Sequence, residues 1–147
     1  MPTIEEIQKE IIEEFEDFSD WEEKYTYIIE LGNELKPLED KYKVKENIVK
    51  GCQSQVWLIS EYDKNNNKVI YKADSDALIV KGLVSILLRI FSNQSPEDII
   101  KSEVFVFDKI GLKNHISPSR ANGLSSMLNY IKNYAMNYIK GGNNANS

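Results

Sequence analysis

The sequence of 147 residues has only one cysteine, Cys52, and one histidine, His115. A single cysteine cannot form an intramolecular disulfide, which excludes the crosslinked framework of small secreted proteins. Cysteine-rich zinc sites and iron–sulfur clusters are excluded as well, because each needs several Cys or His ligands. The chemistry still open to this thiol is that of a lone nucleophile or of a pair with the histidine.

Basic residues are fewer than acidic ones: the chain has 18 Lys and Arg residues and 23 Asp and Glu residues, for a formal net charge of -5. A nucleic-acid-binding protein needs a basic face to neutralise phosphates, so we expect no nucleic-acid partner. The acidic residues are concentrated in residues 1–50, and the remainder of the chain is mildly basic. This uneven charge distribution is typical of the solvated faces of two helices. The electric field of such a distribution can also steer charged partners toward the protein.

Targeting signals and long uncharged apolar runs are absent too. Residues 1–6 have neither the positive segment nor the apolar segment of a signal peptide. The most apolar stretch, residues 77–92, contains Lys81 and Arg89 and is shorter than a membrane span of about 20 residues. We therefore expect a cytoplasmic protein with no membrane partner. The chain also has no Gly-rich phosphate loop, His-Glu-x-x-His motif or Gly-x-Ser-x-Gly motif.

The apolar periodicity predicts an α+β fold, in which a small antiparallel β-sheet of two or three strands packs with about five helices. We expect a single domain over residues 1–140 and a disordered tail over residues 141–147. The predicted helices are residues 4–18, 21–31, 77–92, a short helix from Ser95-Pro96, and a long helix from Ser117-Pro118 to Gly141. The predicted strands are residues 55–62 and 68–74, joined by an asparagine-rich turn.

Three other segments carry weaker signals. Residues 38–50 are charged and poorly periodic, which indicates a loop with at most a short extended piece near residues 48–49. Residues 104–107 have the composition of a short strand, and an apolar linker is the alternative. Residues 74–76 precede the third helix, where two aspartates and a serine are suited to cap its amino end.

Cys52 lies in the segment 51–57 (GCQSQVW). Its preceding residue, Gly51, permits a backbone angle that other residues avoid, and residues 56–59 have the composition of a strand. The thiol is therefore expected on a turn just before a strand. Lys50 and the loop amides are expected to favour the thiolate, which is the reactive form. The alternative is that Cys52 is a small buried hydrophobe, as most free cysteines are.

A lone thiol has a restricted chemistry. Without a second cysteine it cannot run a dithiol–disulfide cycle within the chain, but it can receive a group, hold it covalently and pass it on. A nucleophile pair of Cys52 and His115 is an alternative that requires the fold to bring two distant residues together.

Three charged residues are further candidates. Arg120 lies in the first turn of the last predicted helix, where the helix dipole disfavours a cation. This position suits a contact with an anion or carboxylate, and a surface ion pair explains it equally well. Asp74 and Asp76 are two carboxylates at a strand–helix junction, where capping is the expected role because a metal site would need further ligands.

Four separated segments of the chain resemble the SufE family, the sulfur-acceptor partners of the SufS cysteine desulfurases in iron–sulfur cluster assembly. They occur in the right order and extend from about residue 20 to residue 139, which makes them more specific than one motif. The segments are 21–25 with 27–32 (WEEKY, YIIELG), 51–57 (GCQSQVW), 74–77 with 79–83 (DSDA, IVKGL), and 117–120 with 123–124 (SPSR, GL). The related CsdE proteins share much of this pattern.

The resemblance implies that Cys52 accepts sulfane sulfur from the persulfide of a desulfurase that uses pyridoxal phosphate, and that it raises the turnover of this desulfurase. The sulfur would then pass to a downstream scaffold of the SufB or SufBCD type. On this interpretation the chain is a covalent sulfur carrier rather than an enzyme, with no cofactor or metal of its own. The residues expected to contribute to the desulfurase contact are Gly51, Gln53, Asp74, Asp76 and Arg120.

The family fold resembles that of the IscU-type cluster scaffolds, but this chain lacks their several cysteine ligands, so we expect no cluster-carrying role. A persulfide needs protection from reductants, which implies that apolar neighbours shelter Cys52 until a partner docks. The alternative function is a non-catalytic protein-interaction module that docks through its acidic helices and has an incidental cysteine. A third hypothesis is a cysteine hydrolase that uses Cys52 and His115.

Overall fold

A computed structural model describes residues 2–141, which contain six α-helices and one two-stranded antiparallel sheet. This confirms the predicted α+β class. The elements are α1 (Ile4–Glu16), α2 (Trp21–Asn33), β1 (Val56–Asp63), β2 (Lys68–Ser75), α3 (Leu78–Phe91), α4 (Pro96–Lys101), α5 (Val106–Lys109) and α6 (Pro118–Lys140). Short 3-10 turns lie at Asp40–Tyr42, Lys45–Asn47 and Leu112–Asn114. Residues 142–147 of the predicted tail lie outside the described residues.

Side-chain caps set the amino ends of four helices. The Thr3 hydroxyl accepts a hydrogen bond from the Glu6 amide, and the Glu6 carboxylate accepts one from the Thr3 amide, which completes a capping box. Asp20, Ser95 and Ser117 each accept a hydrogen bond from the amide three residues further on. These bonds are local in sequence, and the predicted starts of α1, α2, α4 and α6 are therefore confirmed.

Two local predictions are wrong. Residues 104–107 do not form a strand, because Val106 begins the short helix α5 and is fully buried in the core. The Gln8 side chain of α1 accepts hydrogen bonds from the amides of Phe105 and Val106, which satisfies donors that a strand would have paired with a neighbour. The third helix also has no aspartate cap, since its cap residue is Ala77.

The sheet is a hairpin in which β1 and β2 pair along their whole lengths. Its turn ends at Asn67, whose φ of 52° lies in the left-handed region that asparagine tolerates. The short extended piece predicted near residues 48–49 is present as an isolated bridge between Ile48 and Trp57 of β1. The irregular chain before β1 therefore pairs with the hairpin just ahead of the cysteine.

Helix α3 is the centre of the core, as its almost uniformly apolar sequence predicts. Leu83, Ile86, Leu87, Ile90 and Phe91 are each at most 1% exposed. Helix α2 and strand β2 pack against this helix. Within the described residues, no helix has both the length and the apolar character needed to cross a membrane.

Helices α2 and α3 approach each other through two glycines. A Cβ on Gly32 would lie 2.6 Å from the Gly82 amide nitrogen, and a Cβ on Gly82 would collide with the Ile28 carbonyl oxygen. The two backbones therefore touch at a distance that only glycine allows on each side. This contact holds α3 in the position from which it forms one wall of the site described below.

Candidate functional site

Cys52 lies on a tight loop, residues 50–55, which we call the cysteine loop. The Val49 amide donates to the Val56 carbonyl oxygen at 2.8 Å and closes the base of this loop. Gly51 has a φ of 99°, a left-handed value that a residue with a side chain rarely adopts. The thiol is thus on a turn just before β1, and the hairpin holds that turn in place.

The Cys52 side chain rests half-buried against α6. Its thiol donates a hydrogen bond to the Gly123 carbonyl oxygen, with the sulfur and oxygen 3.5 Å apart. A Cβ at Gly123 would lie 3.4 Å from the sulfur, which is ordinary van der Waals contact. The thiol therefore lies directly against the backbone of α6 at this glycine.

A cavity of about 30 Å³ adjoins the thiol. It has an apolar wall from α3 and α6 and a polar wall from the cysteine loop and the first turn of α6. A cavity of this volume can hold a water-sized group, and one further sulfur atom on Cys52 would be of comparable size. The lining residues are Cys52, Gln53, Ser54, Val80, Leu83, Ser119, Arg120, Gly123 and Met127.

Burial raises the pKa of the Cys52 thiol above its usual range. The resting side chain is therefore the neutral thiol, which agrees with its role as a hydrogen-bond donor to Gly123. The prediction that Lys50 and the loop amides favour the thiolate is wrong for this resting geometry. Lys50 is exposed to solvent, where the effect of its charge is screened.

Both ends of the cysteine loop are fastened to the rest of the fold. The Gln55 amide donates to the Asp76 carboxylate at 3.1 Å, and the Gln55 carbonyl oxygen accepts from the Ser75 hydroxyl at 2.9 Å. The Asp76 amide donates back to the same carbonyl oxygen at 3.3 Å. At the other end, the Lys50 amide donates to the Tyr130 hydroxyl of α6 at 3.1 Å. Asp76 thus anchors the loop instead of capping α3.

Asp74 lies at the end of β2 and is only 3% exposed. Its carboxylate accepts from the amides of Leu38 and Ser75 and lies 3.4 Å from the ammonium groups of Lys43 and Lys81. Burial raises the pKa of Asp74, but these hydrogen bonds and charges more than offset burial, so that the pKa is held below its usual value. Its predicted capping role is wrong, because the carboxylate instead fastens the chain before β1 to α3.

Arg120 lines the cavity from the first turn of α6. Its amide donates to the hydroxyl of the cap residue Ser117, and its side chain is half-buried. Within residues 2–141, its guanidinium has no carboxylate partner, so the surface ion pair considered from the sequence is not formed there. The charge is therefore available to an anion that enters the cavity.

The structure does not join His115 to the thiol. The His115 ring stacks on the Trp21 ring, with centroids 4.5 Å apart and planes within 10° of parallel. It is not among the residues that line the cavity, and the hydrogen bond of the Cys52 thiol goes to Gly123. Across the described part of the chain, the geometry thus provides no cysteine–histidine nucleophile pair.

Of the residues proposed from the sequence, Cys52, Gln53 and Arg120 line one cavity, while Gly51 and Asp76 shape and fasten the loop. Asp74 is separate from the cavity. The sequence did not single out Met127 or Tyr130 as site residues, because only the fold brings Met127 to the cavity and the Tyr130 hydroxyl to the Lys50 amide. Gly123 was part of a matched segment, but its contact with the thiol is seen only in the fold. No three His, Cys, Asp or Glu side chains of residues 2–141 form a group that could hold a metal ion.

Comparisons with known proteins identify the family and the fold of the chain. The family model described as SufE, Fe-S metabolism associated domain, matches residues 9–135. An uncharacterized SufE-like protein of Rhizobium meliloti (strain 1021) is 42% identical over 129 residues, which cover 86% of this chain and 92% of that protein. The solution structure of a hypothetical protein from Thermus thermophilus superposes with a TM-score of 0.73, covering 91% of this chain and 96% of that one. At 18% identity, this last likeness is one of fold alone.

Proposed function

The chain belongs to the SufE family, whose domain is associated with Fe–S metabolism, and we propose that it is a covalent sulfur carrier for a cysteine desulfurase. In this role Cys52 takes sulfur from a SufS-type enzyme, which uses pyridoxal phosphate, and stimulates its turnover. The carrier then delivers the sulfur to an Fe–S scaffold of the SufB or SufBCD type. The observation that carries the proposal is the half-buried thiol beside a cavity with room for one more sulfur atom.

The transfer is a thiol–persulfide exchange. The Cys52 thiolate attacks the terminal sulfur of the persulfide on the desulfurase cysteine, so that an S–S bond forms at Cys52 and the donor's S–S bond breaks. The desulfurase cysteine leaves as a thiolate, and the terminal sulfur is now the end of a Cys52 persulfide. No external oxidant or reductant is needed, because one S–S bond replaces another.

The resting geometry protects the thiol and does not activate it. Burial and the hydrogen bond to Gly123 favour the neutral thiol, whereas attack needs the thiolate in reach of a partner. Docking of the desulfurase must therefore draw the tip of the cysteine loop away from α6, which exposes the sulfur and removes the cause of its raised pKa. The same cavity shelters the sulfur again when the loop returns.

Incubation with a SufS-type desulfurase, pyridoxal phosphate and L-cysteine tests the proposal directly. We expect mass spectrometry to find one added sulfur atom on the peptide that contains Cys52, and a mild thiol reductant should remove it. A parallel reaction without L-cysteine gives the background. If Cys52 stays unmodified while the desulfurase is turning over, the carrier function is excluded.

Removal of the Asp76 carboxylate should loosen the cysteine loop. In Asp76→Ala the Gln55 amide loses its side-chain acceptor, a charge-assisted bond worth on the order of 1 kcal/mol at an exposed position. A loss of about 1 kcal/mol raises the population of the opened cysteine loop about fivefold, since each 1.4 kcal/mol shifts an equilibrium tenfold. We therefore expect Cys52 to react about fivefold faster with iodoacetamide.

The matched control for this variant is Asp63→Ala. Asp63 likewise accepts backbone hydrogen bonds, from Asn65 and Asn66, but it does so in the turn between β1 and β2. Its replacement should leave the alkylation rate of Cys52 unchanged. An equal rise in both variants would show general loosening of the hairpin rather than release of the loop.

A further inference from the structure

We infer that Arg120 holds the terminal sulfur of the loaded carrier, so that Cys52 exchanges its partner when it is loaded. The unloaded thiol bonds to the Gly123 carbonyl oxygen, and the persulfide anion pairs with the Arg120 guanidinium. This inference rests on the proposed carrier function and adds to it the residue that holds the cargo.

The cavity has the two kinds of wall that an anionic sulfur needs. Val80, Leu83 and Met127 form the apolar wall, which keeps water and reductants away. Ser119 and Arg120 form the polar wall at the start of α6. Among the residues that line the cavity, Arg120 alone carries a charge, so it is the one ionic partner available there to a negative group.

The charged groups around the cavity do not compete for this role. On the cysteine loop, Lys50 is exposed to solvent. On α3, Lys81 lies 3.4 Å from the buried carboxylate of Asp74. At the β2–α3 junction, Asp76 accepts the hydrogen bond that fastens the loop. None of these three elements places a carboxylate in the cavity wall, so the Arg120 guanidinium is not neutralised there.

Loading changes what Cys52 can bond to. The inner sulfur of a persulfide carries no proton, so it cannot donate to the Gly123 carbonyl oxygen as the thiol does. The new terminal sulfur lies about 2 Å beyond it and is more acidic than a thiol, so it becomes an anion more readily. A carbonyl oxygen repels this anion and a guanidinium attracts it, which favours the polar wall of the cavity.

The start of α6 supports the same assignment. A helix amino end favours negative charge, and the first turns of α1, α2 and α4 contain acidic residues. The first turns of α3 and α6 have no acidic residue, and that of α6 contains Arg120. An anionic cargo beside this turn would be favoured by both the helix dipole and the guanidinium.

The experiment uses carrier that is loaded chemically with inorganic polysulfide, which bypasses the desulfurase. The rate of persulfide alkylation is measured as a function of pH in the wild type, Arg120→Gln, Arg120→Lys and the charge control Lys50→Gln, which removes an exposed cation that does not line the cavity. In Arg120→Gln we expect the midpoint to rise by about one pH unit, because an opposite charge nearby lowers the pKa of an acid. Arg120→Lys should return the midpoint most of the way to the wild-type value, and Lys50→Gln should leave it near that value.

The unloaded thiol supplies the decisive comparison. The thiol bonds to the Gly123 carbonyl oxygen, whereas the proposed arrangement turns the persulfide sulfur to Arg120, so Arg120→Gln should move the thiol midpoint less than the persulfide midpoint. Equal shifts in both forms, or no shift in the persulfide, would overturn the inference. Because polysulfide loads the carrier without a desulfurase, the midpoint shifts can be measured whatever the desulfurase does. Failure to accept sulfur from a desulfurase would exclude the carrier function alone.

Discussion

Cys52→Ser is expected to abolish sulfur transfer while the fold and the docking of the desulfurase are retained. A hydroxyl is close to a thiol in size, so serine fits the half-buried position against Gly123. It is not ionised near neutral pH, however, and it cannot serve as the sulfur nucleophile. With the variant present, sulfide release from L-cysteine should therefore stay at the rate of the desulfurase alone.

Ser54→Cys in the Cys52→Ser background is the matched control. Ser54 lies on the same loop and lines the same cavity, so this double variant restores a thiol two positions away. We expect it to regain little of the activity, because the new thiol does not rest against Gly123. Desulfurase binding, measured by calorimetry, should be similar for all three proteins.

The contrary outcome would favour the other class of function. A Cys52→Ser variant that stimulates the desulfurase as well as the wild type would remove the carrier proposal. It would support an interaction module that docks through the acidic faces of α1 and α2. Charge-reversal of exposed glutamates on those helices would then be the next variants to study.

Gly82→Ala is expected to destabilise the protein by about 3 kcal/mol or more, the upper part of the range for overpacked cores. The added Cβ would collide with the carbonyl oxygen of Ile28, which belongs to the backbone of α2 and cannot rotate away. Helices α2 and α3 would have to separate, and the buried apolar surface between them would open. In urea unfolding the midpoint should fall while the slope stays nearly unchanged.

The expected loss of stability in Gly82→Ala is opposite in sign to the usual effect of replacing glycine by alanine in a helix. In a helix without such a contact, alanine is more favourable than glycine by about 1 kcal/mol. An unchanged or raised midpoint for Gly82→Ala would therefore contradict the close crossing of the two helices. Ser85→Ala, one turn further along α3, is the control, and its effect should stay within about 0.5 kcal/mol.

Features of the chain that depend on neighbouring residues were predictable. Thr3 and Asp20 cap the helices that follow them, because the acceptor and the amide are only three positions apart. The all-round apolar pattern of α3 identified the central helix, and the glycine before Cys52 indicated the unusual backbone angle. The family was indicated separately, by the resemblance of four segments of the chain to SufE proteins, and the family model over residues 9–135 confirms it.

Features that depend on distant residues were not predictable in the same way. Residues 104–107 have the composition of a strand, but Gln8 binds their amides and the fold buries Val106 in a helix. Asp74 has the position of a helix cap, yet Lys43 and Lys81 approach it from opposite directions along the chain. In both cases, tertiary contacts outweigh the local preference because they satisfy buried polar groups.

Cys52 combines both kinds of feature. Local sequence was enough to place one thiol on a turn that begins with glycine before a strand, and to exclude a second cysteine or a ligand cluster that could share its chemistry. The neutral resting state of the thiol, its bond to Gly123 and its position in a cavity that Arg120 also lines depend on the tertiary structure. The reason is that burial, pKa and cavity shape all arise where α3, α6 and the cysteine loop meet, and these segments are far apart in the chain.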